Sequence, residues 1–453
     1  RIRIRMEWGR SMSQSFLLVC ILGACFVFQS LVFSEARLSE EATAAVILPA
    51  TKSGVPNACQ NKGIDTSTCV PTAYFVGASK CATTSFAYAF SQHPFMVGVA
   101  PNNHESNALS HGAPNMDHEG NNGGTYVSEL EVVQLNSKRL YTNGTSNGKS
   151  TLPLTYFYKP DLLYYPHGAR NLAFTETKYP KVGYPYPQKT SRFLVMLREP
   201  ISRTFSSWSF KVETAGGKET RSWPAAVHHG LSILASTITC LDQENEQGTS
   251  TALAMEDACA ATRFDPRSTY LHHVMKSVYS LQFEVWFNRF SLEQFHILFM
   301  EDFIRDPVGN LEVTLDFFGV PMVDEGGQWG YPTREAAEKV VRTVKNQTKG
   351  QKHTLDAPTQ ASREALDLAF APFNCRLAQQ LGLGRAAEGH WATGRVSSSL
   401  GPESRVPWLT QWGPSLGEAA LRGEEGGDLC LGPEQALREH LLASHQQGSP
   451  SAP

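Results

Sequence analysis

The chain has 453 residues, of which 41% are hydrophobic and 18% charged, and a formal net charge of -3. That length holds one large domain or two medium ones with a sizeable core. A near-neutral balance excludes a global basic field, so nucleic acid is not an expected partner and any anion site must be local.

From Ser11 to Ser34 no charged residue occurs, and 16–33 is mostly Leu, Val, Ile, Phe, Cys and Ala. Such a run is long enough to span a thin bilayer as a helix. Arg1, Arg3, Arg5 and Arg10 precede it against the single Glu7. The positive-inside rule then puts 1–14 in the cytoplasm, 15–34 in the membrane as a type II signal anchor, and the remainder in an oxidising lumen. A cleaved signal peptide is the alternative. Residues 35–70 are small and polar without sustained periodicity and are read as a stem.

Nine cysteines fit a lumen without forming a dense disulfide framework. Cys59 with Cys69, and Cys240 with Cys259, are spaced as local loop closures. No CxxC pair and no histidine cluster at zinc spacing occurs, so no metal site is expected. Asn143-Gly-Thr145 and Asn346-Gln-Thr348 are glycosylation sequons.

Three short apolar runs, Ala73 to Gly77, Arg192 to Leu197 and Phe295 to Met300, have the character of strands buried in a parallel sheet. Each precedes a helix-like stretch, at Thr83 to Gln92, Pro200 to Phe210 and Pro307 to Phe318. Strands alternating with helices predict an α/β fold, an open doubly wound parallel sheet with helices on both faces and ligands bound beyond the carboxyl ends of its strands. Segment 211–265 reads as an insertion, and His272 and His273 as packing or surface residues of a helix. Residues 385–453, rich in Gly, Ser, Pro, Glu and Ala, read as a disordered tail.

Two strand exits carry the chemistry. The first is Gly77-Ala78-Ser79-Lys80-Cys81-Ala82-Thr83-Thr84-Ser85. A turn of small residues exposes backbone N–H groups, the helix N-terminus adds partial positive charge, three hydroxyls add donors, and Lys80 adds a full cation; together these cradle a phosphate. A Walker A loop ends in Gly-Lys-Ser/Thr, whereas here the lysine precedes the small residues, which disfavours an ATP-hydrolysing loop. The second exit runs from Arg198-Glu199-Pro200 to Arg203 and Ser206. Arg198 at the strand end and Ser206 two turns along the helix clasp one phosphate from two sides. A polar turn with a solvated lysine, and a helix start with two ordinary arginines, are the plainer alternatives.

In this order the two segments resemble the 5′-phosphosulfate loop and the Arg-x-Pro-x-x-Arg-x-x-Ser element of the sulfotransferases that use 3′-phosphoadenosine-5′-phosphosulfate (PAPS). The glycan-modifying Golgi branch, with the heparan N- and 3-O-sulfotransferases, is the nearest likeness, over about 71–383. The resemblance implies a fold related to nucleotide kinases and a domain at 71–384. It places Lys80, Cys81, Ala82, Thr83, Thr84 and Ser85 around the 5′-phosphosulfate and Arg198 and Ser206 around the 3′-phosphate. Ser277-Val278-Tyr279, Trp286 and the 295–302 stretch resemble the family's Gly-x-Tyr, Trp and strand-Glu-Asp segment, with Ser277 in place of glycine and Tyr279 at the donor. Lys349-Gly350-Gln351-Lys352 resembles a Lys-Gly-Arg-Lys loop that closes over the nucleotide, with Gln351 for arginine, so Lys349, Gly350 and Lys352 join the donor site.

The transfer needs a base for the acceptor proton and cations for charge on the leaving phosphate. The family's Lys-Glu-x-x-Phe-Phe position corresponds to His104-Glu105, which makes Glu105 the candidate base, His104 its alternative and Lys80 the catalytic cation. The expected reaction moves a sulfuryl group from PAPS, releasing 3′,5′-ADP, to a hydroxyl or amine of a carbohydrate, most simply a polysaccharide, in the Golgi lumen. A protein-tyrosine acceptor, an inactive glycan-binding relative and a nucleotide kinase are the alternatives.

Overall fold

Five parallel strands make the sheet on which the site is built. The computed structural model describes residues 58–61, 67–98, 154–178, 191–213, 219–260, 271–323, 330–343 and 358–381, together with Cys430 and Leu437. The expected membrane anchor, His104, Glu105, both sequons and the Lys349 loop lie outside these residues. Among the described residues no helix is long and apolar enough to cross a membrane.

A two-stranded antiparallel ribbon, β1 (Ala58–Asn61) with β2 (Ser67–Val70), sets Cys59 opposite Cys69, the pair singled out by spacing. The main sheet follows with β3 (Ala73–Gly77), β4 (Met96–Gly98), β5 (Leu154–Tyr158), β6 (Arg192–Leu197) and β7 (Phe295–Phe299) in the spatial order β4-β5-β3-β6-β7. All four pairings are parallel. This is the open α/β sheet the alternation of strands and helices predicts, with β3 at its centre. From β3 the chain moves to one side through β4 and β5, then crosses to β6 and β7 on the other. The crevice beyond the carboxyl end of β3 is therefore the place where ligands bind in such sheets.

Both faces are covered. Successive strand residues point to opposite faces, and in β3 Phe75 packs edge-on against Phe86 of α1 (Thr83–Gln92). Its neighbour Tyr74 meets Phe193 of β6, and Phe193 in turn meets Trp286 of α6 (Tyr279–Phe287). Between α1 and α6 along the chain lie α2 (Gly168–Lys178), α3 (Pro200–Glu213), α4 (Trp223–Glu246) and α5 (Thr251–Glu256). After β7 come α7 (Met300–Arg305), α8 (Pro307–Phe317), α9 (Arg334–Val341) and α10 (Gln360–Gln380).

One reading is corrected, one is borne out and one gains detail. His272 and His273 are buried as expected, but they sit in turns before a 3₁₀ segment, Met275–Ser277, and not on a helix. The insertion is itself helical, and Cys240 and Cys259 do close α4 onto the end of α5 as a disulfide. The tail is tied at two places: Cys430 is disulfide-bonded to Cys375 of α10, and Leu437 is buried against the apolar core. Burial of two apolar tail groups and a covalent link offset part of the ordering entropy that composition alone leaves unopposed.

Replacing Cys240 and Cys259 together by serine is expected to destabilise the chain by about 3 kcal/mol, the loop-closure value for a bridge of this span. Urea unfolding of the oxidised protein and of the variant measures it.

Candidate functional site

The β3 exit is shaped by close packing. At Gly77 a Cβ would come within 2.7 Å of Leu163 Cβ, so a side chain there is excluded by the approach of the segment after β5. Ala78 N–H then donates to Met196 O of β6 at 2.7 Å, which pins the start of the turn to the neighbouring strand. Lys80 and Ala82 both have positive φ, 70° and 60°, while Cys81 between them does not. Alternation of hand turns successive peptide N–H groups toward one side and forms a concave anion nest. Ala82 is also the N-cap of α1 and offers no side-chain acceptor to the first turn. Among the described residues the backbone N–H groups of Ser79, Lys80, Cys81, Ala82, Thr83 and Thr84 have no hydrogen-bond partner. Donors left open in a row at a helix N-terminus are what an anionic group requires.

The carbonyl side of the same turn is occupied. Arg203 of α3 is fully buried, and its guanidinium donates to Ser79 O at 3.0 Å, Ser79 Oγ at 3.1 Å, His273 O at 2.9 Å and Ser277 Oγ at 3.2 Å. The structure thereby decides between the two readings of this residue: it is a brace within the fold and not a surface charge. Ser277, the residue standing where the resemblance has glycine, completes this network by a 2.8 Å contact with Thr204 Oγ1. Arg198 is half-buried, reaches Lys80 O at 3.4 Å, and otherwise keeps its donors open among the described residues. Glu199 caps α3 by accepting from the N–H groups of Ile201 and Ser202 at 2.8 and 2.6 Å, and Glu301 of α7 accepts from Glu199 N–H at 2.8 Å. These bonds fix the turn that carries Arg198.

Lys80 has no ion-pair partner among the described residues, and its ammonium lies 3.7 Å from the ring centroid of Phe210, which is exposed at the end of α3. Burial first, then the charges of Arg203, Lys211 and Arg198, bring its pKa down to about 8. Four cations thus crowd one turn without a carboxylate in contact with the lysine. Across the turn, Asp161 is held well below the usual carboxylate range: burial alone would raise it, but Lys276, the Ser79 hydroxyl, Lys159 and Arg203 outweigh burial. Its partner Lys276 donates to it at 3.2 Å, so this acid is neutralised locally.

The remaining expected residues divide by what their side chains meet. Cys81 is buried, its thiol pushed up to about 12 by burial, so its side chain is packing and only its N–H faces the nest. Tyr279 is buried beneath the turn and donates to Arg198 O at 2.9 Å, bracing the two strand exits against each other. Thr83 and Ser85 are buried, and Thr84 Oγ1 lies 3.4 Å from Tyr158 Oη. Ser206 is half-buried one helical turn before Phe210, and its hydroxyl has no partner among the described residues. Sequence reasoning missed Lys211, Phe210, Asp161 and Lys276. The spacing Arg203, Ser207, Lys211 places three polar groups on one helical face and is the signal that marks Lys211.

No family model matches the chain, and no curated protein matches it. Among solved structures it is similar to the crystal structure of a sulfotransferase from Alicyclobacillus acidocaldarius, at 20% identity and a TM-score of 0.40, covering 68% of this chain and 95% of that one. Function is therefore argued from the site itself.

An anion bound at the turn holds Lys80 protonated. Because the free lysine titrates near 8, binding must take up a proton above that pH, and affinity falls as pH rises through about 8 by up to roughly tenfold per unit. Titration with inorganic sulfate, which stays ionised throughout, is expected to show this fall in the wild type and to lose it in Lys80→Met; a flat wild-type profile would contradict the assignment.

Proposed function

We propose that the chain is a PAPS-dependent sulfotransferase acting on a carbohydrate in the lumen of the Golgi. The observation that carries this reading is the turn after β3, where six backbone N–H groups and Lys80, without partners among the described residues, lie beside Arg198, with Ser206 on the helix that follows it. Two anion positions on adjacent strands match a donor with phosphates at both ends of one ribose. A single triphosphate would call for the glycine-rich turn with its lysine at the far end, which this sequence lacks.

The residues fit the donor as follows. The nest 79–84 and the start of α1 hold the 5′-phosphosulfate, while Arg198 and the Ser206 hydroxyl hold the 3′-phosphate. The donor supplies a sulfuryl group on a phosphate leaving group. An acceptor oxygen or nitrogen forms its bond to sulfur as the bond from sulfur to the bridging oxygen breaks, and 3′,5′-ADP departs with that electron pair. Lys80 offsets the charge growing on the bridging oxygen. A lysine brought to about 8 is also a competent proton donor to that oxygen near neutral pH. Glu105 takes the acceptor proton, with His104 as the alternative base, and Lys349, Gly350 and Lys352 cover the nucleotide; these roles rest on the resemblance. Positioning and fixed charge supply most of the acceleration, as in phosphoryl transfer.

The luminal setting rests on the uncharged 11–34 run and its arginine flank, and is consistent with two disulfides among the described residues, which persist in oxidising compartments. The carbohydrate acceptor rests on the likeness to the Golgi branch.

Transfer of labelled sulfate from PAPS to a panel of uronic-acid polymers, galactans and tyrosine peptides tests the reading. Lys80→Ala is expected to lower kcat by about 10²–10³, the loss typical of one preorganised transition-state donor. Undiminished transfer in that variant would refute the role of Lys80, and transfer confined to the peptides would refute the carbohydrate acceptor.

A further inference from the structure

Behind the anion turn, Ser207, His273 and Glu219 form a line of hydrogen bonds that the reaction above leaves unused. His273 Nε2 lies 3.0 Å from Glu219 Oε2, and His273 Nδ1 lies 2.9 Å from Ser207 Oγ. The order of groups is that of a hydrolase triad. The three residues are only 5%, 2% and 3% exposed, however, so no substrate reaches the hydroxyl. The line holds something in place.

Its protonation is fixed by its partners. Burial alone would raise the Glu219 carboxyl, but the bonds from His273 and Arg221 hold it well below the usual range, so it is an acceptor only. Arg221 grips it through Nε and Nη2, both at 2.9 Å, and through its own N–H at 2.9 Å. Burial brings His273 down to about 4 against the opposing pull of Glu219, so the ring is neutral at physiological pH. Nε2–H therefore donates to Glu219, and Nδ1 accepts from Ser207. With both ring nitrogens committed, the imidazole has one orientation, and so has the peptide that bears it. The carbonyl of that peptide accepts from Arg203 at 2.9 Å, and Arg203 in turn holds Ser79 O and Oγ.

We infer that Glu219 and His273 are positioning residues for the anion turn: they orient the His273 carbonyl that aims the buried Arg203 guanidinium at Ser79. Glu219 stands three residues before Ser222, the N-cap of α4. The disulfide-closed helical insertion is thereby coupled to the turn that carries Lys80. The inference uses the proposed donor only as a ligand in its test.

Glu219→Gln in the full chain keeps the size of the side chain and removes its charge. The variant is expected to bind 3′,5′-ADP roughly tenfold to hundredfold more weakly, as a displaced binding turn does. It is also expected to shift the Lys80 titration upward from about 8, because the turn loosens from burial and from Arg203. Carbon NMR of reductively methylated protein, assigned with Lys80→Arg, reads this second effect without any donor. Arg221→Gln leaves the His273 contact in place and is expected to lower the melting temperature with neither effect. Ser207→Ala removes the other anchor of the imidazole and gives the same two changes to a smaller degree, which covers the case of a Glu219 variant that fails to fold. Folded variants with an unshifted Lys80 titration, or an equal shift in Arg221→Gln, would overturn the inference. A wild type that ignores 3′,5′-ADP would sink the donor reading alone, since the titration still reports on the coupling.

Discussion

A guanidinium withdrawn from water costs several kcal/mol unless its donors find acceptors, and the donors of Arg203 find theirs in two stretches of chain distant from its own helix. Ser79 belongs to the turn after β3, His273 and Ser277 to the turns before α6, and Arg203 itself to the helix after β6. None of these stretches can move without leaving a buried charge unsatisfied. The satisfaction of one side chain thus fixes the relative placement of two strand exits, and the two exits make the site. Taking the carbonyl edge of the turn for Arg203 leaves the N–H edge open, which is the property an anion site needs.

The site is electrostatically unfavourable by itself. Lys80, Lys211, Arg198 and Arg203 repel one another, and the lowered pKa of Lys80 records that repulsion together with burial. Two non-glycine residues at positive φ add about 1 kcal/mol of strain each or more. An arrangement that opposes its own charges and backbone preferences persists only where the surrounding core over-determines it. Here the core is the aromatic cluster of Tyr74, Phe193 and Trp286 on one face and Phe75, Phe86 and Phe90 on the other. An anion at the turn would offset that repulsion.

Much of the frame was legible from the chain because its central elements are continuous apolar runs flanked by helix-starting residues. β3, β6 and β7, and the helices after them, lie within three residues of their expected bounds. β4 and β5 go unread in the sequence: β4 has only three residues, and the signal for Leu154–Tyr158 is the strand propensity of its Thr, Tyr and Phe rather than a continuous aliphatic run. The Cys375–Cys430 bridge spans 55 residues, too far for spacing to suggest a pair. At the site, residue types and order pointed to the anion turn and to Arg198. They did not reveal that Arg203 faces inward, that Cys81 is inert packing, or that the hydroxyl of Tyr279 is spent on Arg198 O, because these depend on which way a side chain leaves its helix or turn. Glu105 and the Lys349 loop, read from resemblance, lie outside the described residues.

The central claim is that the two strand exits together read a nucleotide carrying both a 3′- and a 5′-phosphate. Calorimetric titration of the full chain with 3′,5′-ADP, 5′-ADP and ATP tests it most directly. 3′,5′-ADP is expected to bind at least about tenfold, or about 1.4 kcal/mol, more tightly than either of the others, with Arg198→Ala erasing the difference between 3′,5′-ADP and 5′-ADP. Preferential binding of ATP, or a preference for 3′,5′-ADP that survives in Arg198→Ala, would contradict it.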